Sequence, residues 1–387
     1  MGDTYTPQEM LGKLISFNTI SALSNLDMIK FMADYLAGHG ITANLGGNED
    51  GTKGDLIAAI GPAVEGGLVF SGHTDVVPVE GQDWHTDPFE MVAKDGLLYG
   101  RGTCDMKGFI ATALAMVPEF QALDLKKPLY LVFSYDEEVG CLGAPGLIAR
   151  LMKDELPPLA AIIGEPTSMK LVNAHKGVAA FETKVTGKPG HSSQTHKGIN
   201  AIAVAADCIR FLEDRAVAFR DGEGPRDERF EPAYTTLSIG MINGGTANNI
   251  IAGECNFTWG VRSVVPGEGQ KIVADLDAYC QDVLIPPLKE IAPEADIASH
   301  KFAEIPPLNP GEDNPAEALV RRLTGQNQAG AVAFGTEAGQ FQEAGIPSVV
   351  CGPGSVDQAH QPNEFVAVSQ LDECEGFLRK LAAWAAE

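Results

Sequence analysis

A chain of 387 residues is long for a single hydrophobic core, so two domains are expected, and 44% hydrophobic content excludes wholesale disorder. The formal net charge of −24 disfavours nucleic acid and anionic membrane as partners. Seven scattered cysteines without a CxxC pair read as reduced thiols, and no stretch of about 20 apolar residues or basic-then-apolar leader appears, so a cytoplasmic address is expected.

In chain order, Thr6-Pro7 ahead of "QEMLGKLISF" is a cap followed by proline at the first helical position. "LDMIKFMADYLAGHG" continues as an amphipathic helix closed by glycine. Apolar runs at 66–75, 127–138 and 159–166 predict strands, and segments 106–120 and 144–152 predict helices. From about Phe181 the texture changes. "AAFETKVTG", "TTLSIGMING" and "GECNFTWGVRSV" alternate as strands, and 199–217 and 268–284 carry a helical period. "AVAFGTEAGQF" and "IPSVVCGPGS" then return to the first texture. The expected fold is α/β: a catalytic domain (1–179 and 293–387) with a mixed, largely parallel sheet flanked by helices, interrupted by a smaller α+β domain (180–292).

Candidate chemistry gathers at the carboxyl ends of the predicted strands, where open parallel sheets place ligands. "SGHTD" offers His73 and Asp75, "GRGTCDMKG" Asp105, "SYDEEVG" Glu137 and Glu138, "IIGEPTS" Glu165, and "GPGSVDQAHQPNE" His360. Taken singly, each is ordinarily a surface or capping residue. Their joint placement is the signal. Imidazoles and carboxylates together suit Zn²⁺ or Co²⁺, and five such ligands exceed the three of a mononuclear catalytic zinc site. One shared carboxylate would let them serve two ions. Asp75, two residues after His73, returns to the same side of a strand and can hold the imidazole's other nitrogen. By the same alternation, Glu137 and Glu138 are expected to point in opposite directions.

The ordered set "SGHTDVVPV", "LLYGRGTCDMKG", "DEEVG", "GEPTS" and "AHQPNE" resembles the aminoacylase/carboxypeptidase-G family of co-catalytic zinc amidohydrolases, from about residue 8 to 380. "KPLYLVFSYDEE", "AIIGEPTS", "AHKG", "GTEAGQF" and "CGPGS-x-x-QAHQPNE" are most similar to the branch that acts on N²-acetylornithine. That resemblance implies release of ornithine and acetate, with deacylation or desuccinylation of a related N-acyl amino acid as the alternative. It implies two divalent metal ions, Zn²⁺ or alternatively Co²⁺. His73 and Glu165 would hold one, Glu138 and His360 the other, and Asp105, whose following peptide is often cis in the family, would bridge them. Asp75 would stand behind His73. Glu137 matches the general base. Cys104, beside Asp105, is not used as a ligand by the family motif.

The resemblance further implies that the inserted domain dimerises and that His191 reaches the partner subunit's site to stabilise the oxyanion. Asn248, Asn249 and Arg262 resemble the substrate-carboxylate site, although "RSVVP" carries one residue more than the "RPLP" form common in that branch. Charge complementarity makes Glu337 in "GTEAGQF" the expected acceptor for a δ-ammonium. Other classes fit less well. No G-x-S-x-G elbow occurs, and "YGRGTCDMKG" lacks the third glycine of a dinucleotide motif. A non-catalytic relative would be expected to have lost ligands, and all five positions and the base are occupied here.

Overall fold

In the computed structural model, which describes residues 3–387, the first helix (Pro7–Ile15) starts at its predicted cap. Thr6 and Glu9 form a reciprocal capping box, and Pro7 occupies the first turn. The segment expected as one helix over 106–120 forms two, Lys107–Ala115 and Val117–Ala122. Pro118, which lacks an N–H, sits in the first turn of the second, where none is needed. Among the described residues no helix is long and apolar enough to cross a membrane.

The chain divides into two units. The first comprises residues up to Ala174, Leu308–Ala331 and Thr336–Glu387, and the second His175–Pro307 and Val332–Gly335. The first unit is built on an eight-stranded mixed sheet. Its spatial order is Ala43–Gly47, Gly54–Ile60, Leu129–Ser134, Leu68–His73, Ala160–Pro166, Ser348–Gly352, Val172–His175 and Gly330–Val332. The central four strands run parallel: Phe70 lies between Leu131 and Ile162, and Val349 pairs with Ile162 from the far side. Pairings of Gly54–Ile60 with both its neighbours, and of Ser348–Gly352 with Val172–His175, are antiparallel. These four strands are buried throughout, as expected of parallel strands covered on both faces. Their apolar side chains join those of the helices in one core that includes Phe70, Phe109, Phe120, Phe133, Leu371 and Leu378. All four parallel strands therefore point their carboxyl ends the same way.

In the second unit an antiparallel sheet has the order Thr236–Gly244, Glu254–Ser263, Gly177–Thr186 and Asp296–Ile305. Buried Phe181, Phe257, Trp259 and Val261 pack with Cys208, Leu212, Ile272 and Leu276 of two helices, Ala201–Arg220 and Glu268–Tyr279. The sheet extends past the expected boundary at 293, because Asp296–Ile305 pairs along Gly177–Thr186. Its alternation is masked in the sequence by His300, Lys301 and Glu304, and an irregularity at Lys301/Ala303 shifts the register.

Candidate active site

The Leu68–His73 strand delivers His73 at its carboxyl end, and the next two residues are fixed by hydrogen bonds. Thr74 donates its N–H and its hydroxyl to the Ser134 carbonyl, at 3.0 and 2.7 Å. The Thr74 hydroxyl also accepts from Asn25 at 2.8 Å, and its carbonyl accepts from the Thr19 hydroxyl at 2.6 Å. Asp75 is thereby held fully buried, with one carboxylate oxygen 3.6 Å from His73 Nδ1.

Asp75 does more than stand behind the imidazole. Its carboxylate accepts from the backbone N–H of Glu137 at 3.0 Å, from that of Glu138 at 3.3 Å, and from the Ser21 hydroxyl at 2.6 Å. The strand ends at Ser134, and Asp136 turns the chain with φ +54° while its carboxylate pairs with Lys53 at 2.7 Å. The two glutamates therefore sit in a turn hung on Asp75. Strand alternation, the expected cause of their separation, does not operate there.

Glu165 lies on the Ala160–Pro166 strand. Gly164 beside it is required by close approach: a Cβ there would lie 2.0 Å from the Phe109 ring. Asp105 precedes the Lys107–Ala115 helix, and its peptide bond to Met106 is cis. His360, at φ +62°, sits in the loop after Ser348–Gly352.

These segments converge. His73 Nε2 is 3.1 Å from one Asp105 oxygen and 3.7 Å from Glu165 Oε1. His360 Nε2 is 3.3 Å from the other Asp105 oxygen and 3.0 Å from Glu138. Asp105 thus stands between a His73–Glu165 pair and a His360–Glu138 pair. Glu138 Oε1 and Glu165 Oε1 are buried with no hydrogen-bond partner, a costly arrangement for carboxylates unless a cation meets them. Two overlapping clusters that share His73, His73–Asp105–Glu138 and His73–Glu137–Glu165, bring their ligand atoms within 4.8 Å of one another, close enough for a metal ion. The imidazole and carboxylate donors fit a borderline divalent ion.

The electrostatics also suit a cation. Burial, with Asp105 next, pushes Glu138 up to about 7, and burial raises Glu137 and Glu165 well above the usual carboxylate range. Hydrogen bonds to Asp105 and Glu138 carry His360 up to about 10. Burial works against protonation of His73, but Asp105 and Asp75 hold its pKa well above the ordinary value. Burial also opposes ionisation of Asp105, yet His360 and His73 keep its carboxyl below the usual range.

Glu337 is placed differently from expectation. It is 1% exposed, and its carboxylate accepts from the hydroxyls of Ser71 (3.3 Å) and Ser134. Two strand hydroxyls therefore meet this carboxylate within the fold. Cys141, which sequence reasoning passed over, donates its thiol to Glu137 Oε1 at 3.3 Å. No sequence pattern marks that contact, because it depends on the turn bringing residue 141 back to 137.

In the second unit His191 is exposed and pairs with Ile250, and its Nδ1 lies 2.8 Å from the Ser193 hydroxyl. Ser192 N–H donates to the Asn249 carbonyl at 3.1 Å, so His191 and the exposed Asn248–Asn249 segment lie together. Arg262 lies elsewhere. It pairs with Thr236, at the opposite end of the hairpin from Gly244, whose partner is Cys255. More than about 20 Å of strand, at a rise of ~3.3 Å per residue, separates Arg262 from the asparagine end.

The sequence profile of peptidase family M20/M25/M40 matches residues 69–384, a span holding every one of these candidate residues. The chain belongs to that family. It is 35% identical over 383 residues to an acetylornithine deacetylase of Pasteurella multocida (strain Pm70), covering 96% of each chain. It is 36% identical to an acetylornithine deacetylase of Myxococcus xanthus, again covering 96% of each. An M20 family metallo-carboxypeptidase from Sulfolobus solfataricus has the same fold, with a TM-score of 0.77 at 16% identity over 99% of this chain and all of that one. A dinuclear metal binding M20 peptidase from Bacillus subtilis matches with a TM-score of 0.63 at 16% identity over 98% of both chains.

Proposed function

We propose that this M20/M25/M40 member is a two-metal amide hydrolase that removes the acetyl group from N²-acetylornithine, giving ornithine and acetate in arginine biosynthesis. One observation carries the reading: His73, Asp105, Glu138, Glu165 and His360 converge around one central carboxylate, and two of their oxygens are buried without partners. The names of the two relatives similar over 96% of their length support the choice of acyl amino acid.

His73 and Glu165 would hold one ion and His360 and Glu138 the other, with Asp105 shared between them. Bound there, two divalent ions, zinc or alternatively cobalt, supply Lewis acidity and make water acidic enough to attack at neutral pH. Glu137 takes the proton from the attacking water and later delivers it to the departing α-amine nitrogen. The Asp75 carboxylate fixes the backbone from which Glu137 acts, and the Cys141 thiol orients the carboxylate itself. Arg262 grips the substrate α-carboxylate through its planar fork.

His191, with Asn248 and Asn249 beside it, serves the site of a second copy of the chain, where His191 stabilises the oxyanion. Their separation from Arg262 supports this, since a small substrate cannot touch both ends of one hairpin. The Thr236–Gly244 strand lies at the edge of its sheet and leaves Met241 62% and Ile242 50% exposed, an edge suited to pairing with another copy. A substrate panel on metal-loaded protein tests the reading, scoring N²-acetylornithine, succinyl-diaminopimelate, acetylmethionine and a dipeptide by kcat/KM. Acetylornithine is expected to lead. Preference for any other member would overturn the substrate assignment.

A further inference from the structure

Glu364 is fully enclosed, 1% exposed, and has no place in the chemistry described. Four donors nevertheless converge on its carboxylate. One oxygen accepts from Arg101 Nη1 at 2.7 Å and from the Gly102 N–H at 3.0 Å. The other accepts from the N–H groups of Cys104 at 2.8 Å and Asp105 at 3.0 Å. Three backbone N–H groups within the segment 102–105 thus wrap one anion, and the last donor belongs to the shared carboxylate residue of the metal centre. Gly102 makes the wrap feasible. It adopts φ +86°, and a Cβ there would lie 2.8 Å from Val76.

The same hub reaches His360 by a second route. Arg101 Nη2 donates to Gln82 Oε1 at 2.5 Å, and Gln82 Nε2 donates to the His360 carbonyl at 3.0 Å. Trp84 covers the guanidinium at 5.1 Å and donates its indole N–H to the same Gln82 oxygen at 3.0 Å. The flanking loops are joined again where His85 N–H donates to Asn363 at 2.8 Å and Asn363 donates to the Asp83 carbonyl at 3.2 Å. Asp105 and His360 come from segments more than 250 positions apart in the sequence, yet one buried ion pair anchors both.

We propose that Glu364, paired with Arg101, is a positioning residue that sets the spacing between Asp105 and His360 and so tunes affinity for the ion they share. The inference rests on the two-metal reading above. It differs from a general stabilising role because the backbone donors it organises end at a ligand, and because the arm through Gln82 ends at another ligand's own carbonyl.

The test is Zn²⁺ titration of chelator-stripped wild-type protein and Glu364→Gln, followed by calorimetry and by the visible spectrum of the Co²⁺-loaded forms. Glutamine is nearly isosteric, but its NH₂ replaces one acceptor oxygen and turns two donors away from their partner. At least one metal-binding step is expected to weaken about 10- to 100-fold, the range for groups that orient ligands. The Co²⁺ spectrum is expected to change, and kcat to recover as Zn²⁺ is raised to saturation. Gln82→Met, on a partly exposed loop, removes the hydrogen bonds from Arg101 and Trp84 and the one to the His360 carbonyl. Only the last reaches a ligand, so binding is expected to weaken about fivefold, in line with one lost hydrogen bond at a ligand. It also serves if the Glu364 variant does not fold. Wild-type affinities and spectra in both variants, with the wild-type protein binding two ions, would overturn this inference alone. Failure of the wild-type protein to bind ions would remove the two-metal reading and this inference with it.

Discussion

Replacement of Glu137 by glutamine separates proton transfer from metal binding at a single oxygen. The substitution leaves the Glu137 backbone N–H on Asp75 and leaves an amide oxygen able to accept from the Cys141 thiol, so the turn keeps its shape. The five ligand side chains are untouched. Lost is a group that accepts a proton during attack and returns it during departure. One positioned acid–base group contributes about 10²- to 10⁴-fold, and double duty places this loss near the upper end, about 5.5 kcal/mol of barrier. The assay is steady-state release of ornithine from N²-acetylornithine, with metal content measured on the same samples. A kcat near one ten-thousandth of wild type, with unchanged KM and full metal content, is expected. The grouping of His73, Glu137 and Glu165 within 4.8 Å offers a rival role for Glu137 as a ligand. A variant that loses metal along with activity would refute the reasoning, as would one that keeps a tenth or more of wild-type kcat.

Glu138→Gln and Glu165→Gln should each lose metal affinity, because each removes a charged oxygen now buried without a partner; equilibrium dialysis reads the change. The chelated protein should lose stability as pH rises from about 4.5 to 7. Burial and Asp105 raise Glu138 from 4.5 to about 7, so the folded state holds that proton more tightly than the unfolded chain, and this stabilisation is complete below 4.5 and gone above 7. Asp105 is shifted the opposite way, gaining its contribution above 3.8, and is already ionised in this window. Tm measured across pH should therefore fall without metal, while metal binding, which displaces the protons, should tighten over the same range. Mixing inactive Glu137→Gln and His191→Ala proteins should restore about a quarter of wild-type activity, since half the dimers are mixed and one of their two sites is intact. No recovery after subunit exchange would place His191 outside the partner's site. Arg262→Lys should raise KM about 10- to 100-fold, matching the loss of 1.5–3 kcal/mol for a hydrogen bond to a charged group.

The central strands were legible because burial on both faces leaves nearly unbroken apolar runs, and the ligands were legible because they fall where those runs stop. The outer strands were harder to read. Val172–His175 and Gly330–Val332 are short, and Asp296–Ile305 carries charge on the exposed side of an edge. The residue types of the site could be seen in the sequence, but the hydrogen bonds that aim them could not. Nothing about Asp75 shows that it anchors two glutamates more than 60 positions away. Glu337 shows a related gap: charge complementarity with a substrate gives no account of burial, and two strand serines meet its carboxylate.

Anomalous diffraction at the zinc edge from crystals of the zinc-loaded protein tests most directly the claim that adjacent glutamates divide the work. Two peaks about 3.5–4 Å apart are predicted, with Asp105 bridging them, Glu138 bound to one and Glu137 to neither. A single peak, or a Glu137 oxygen in the coordination sphere, would contradict it.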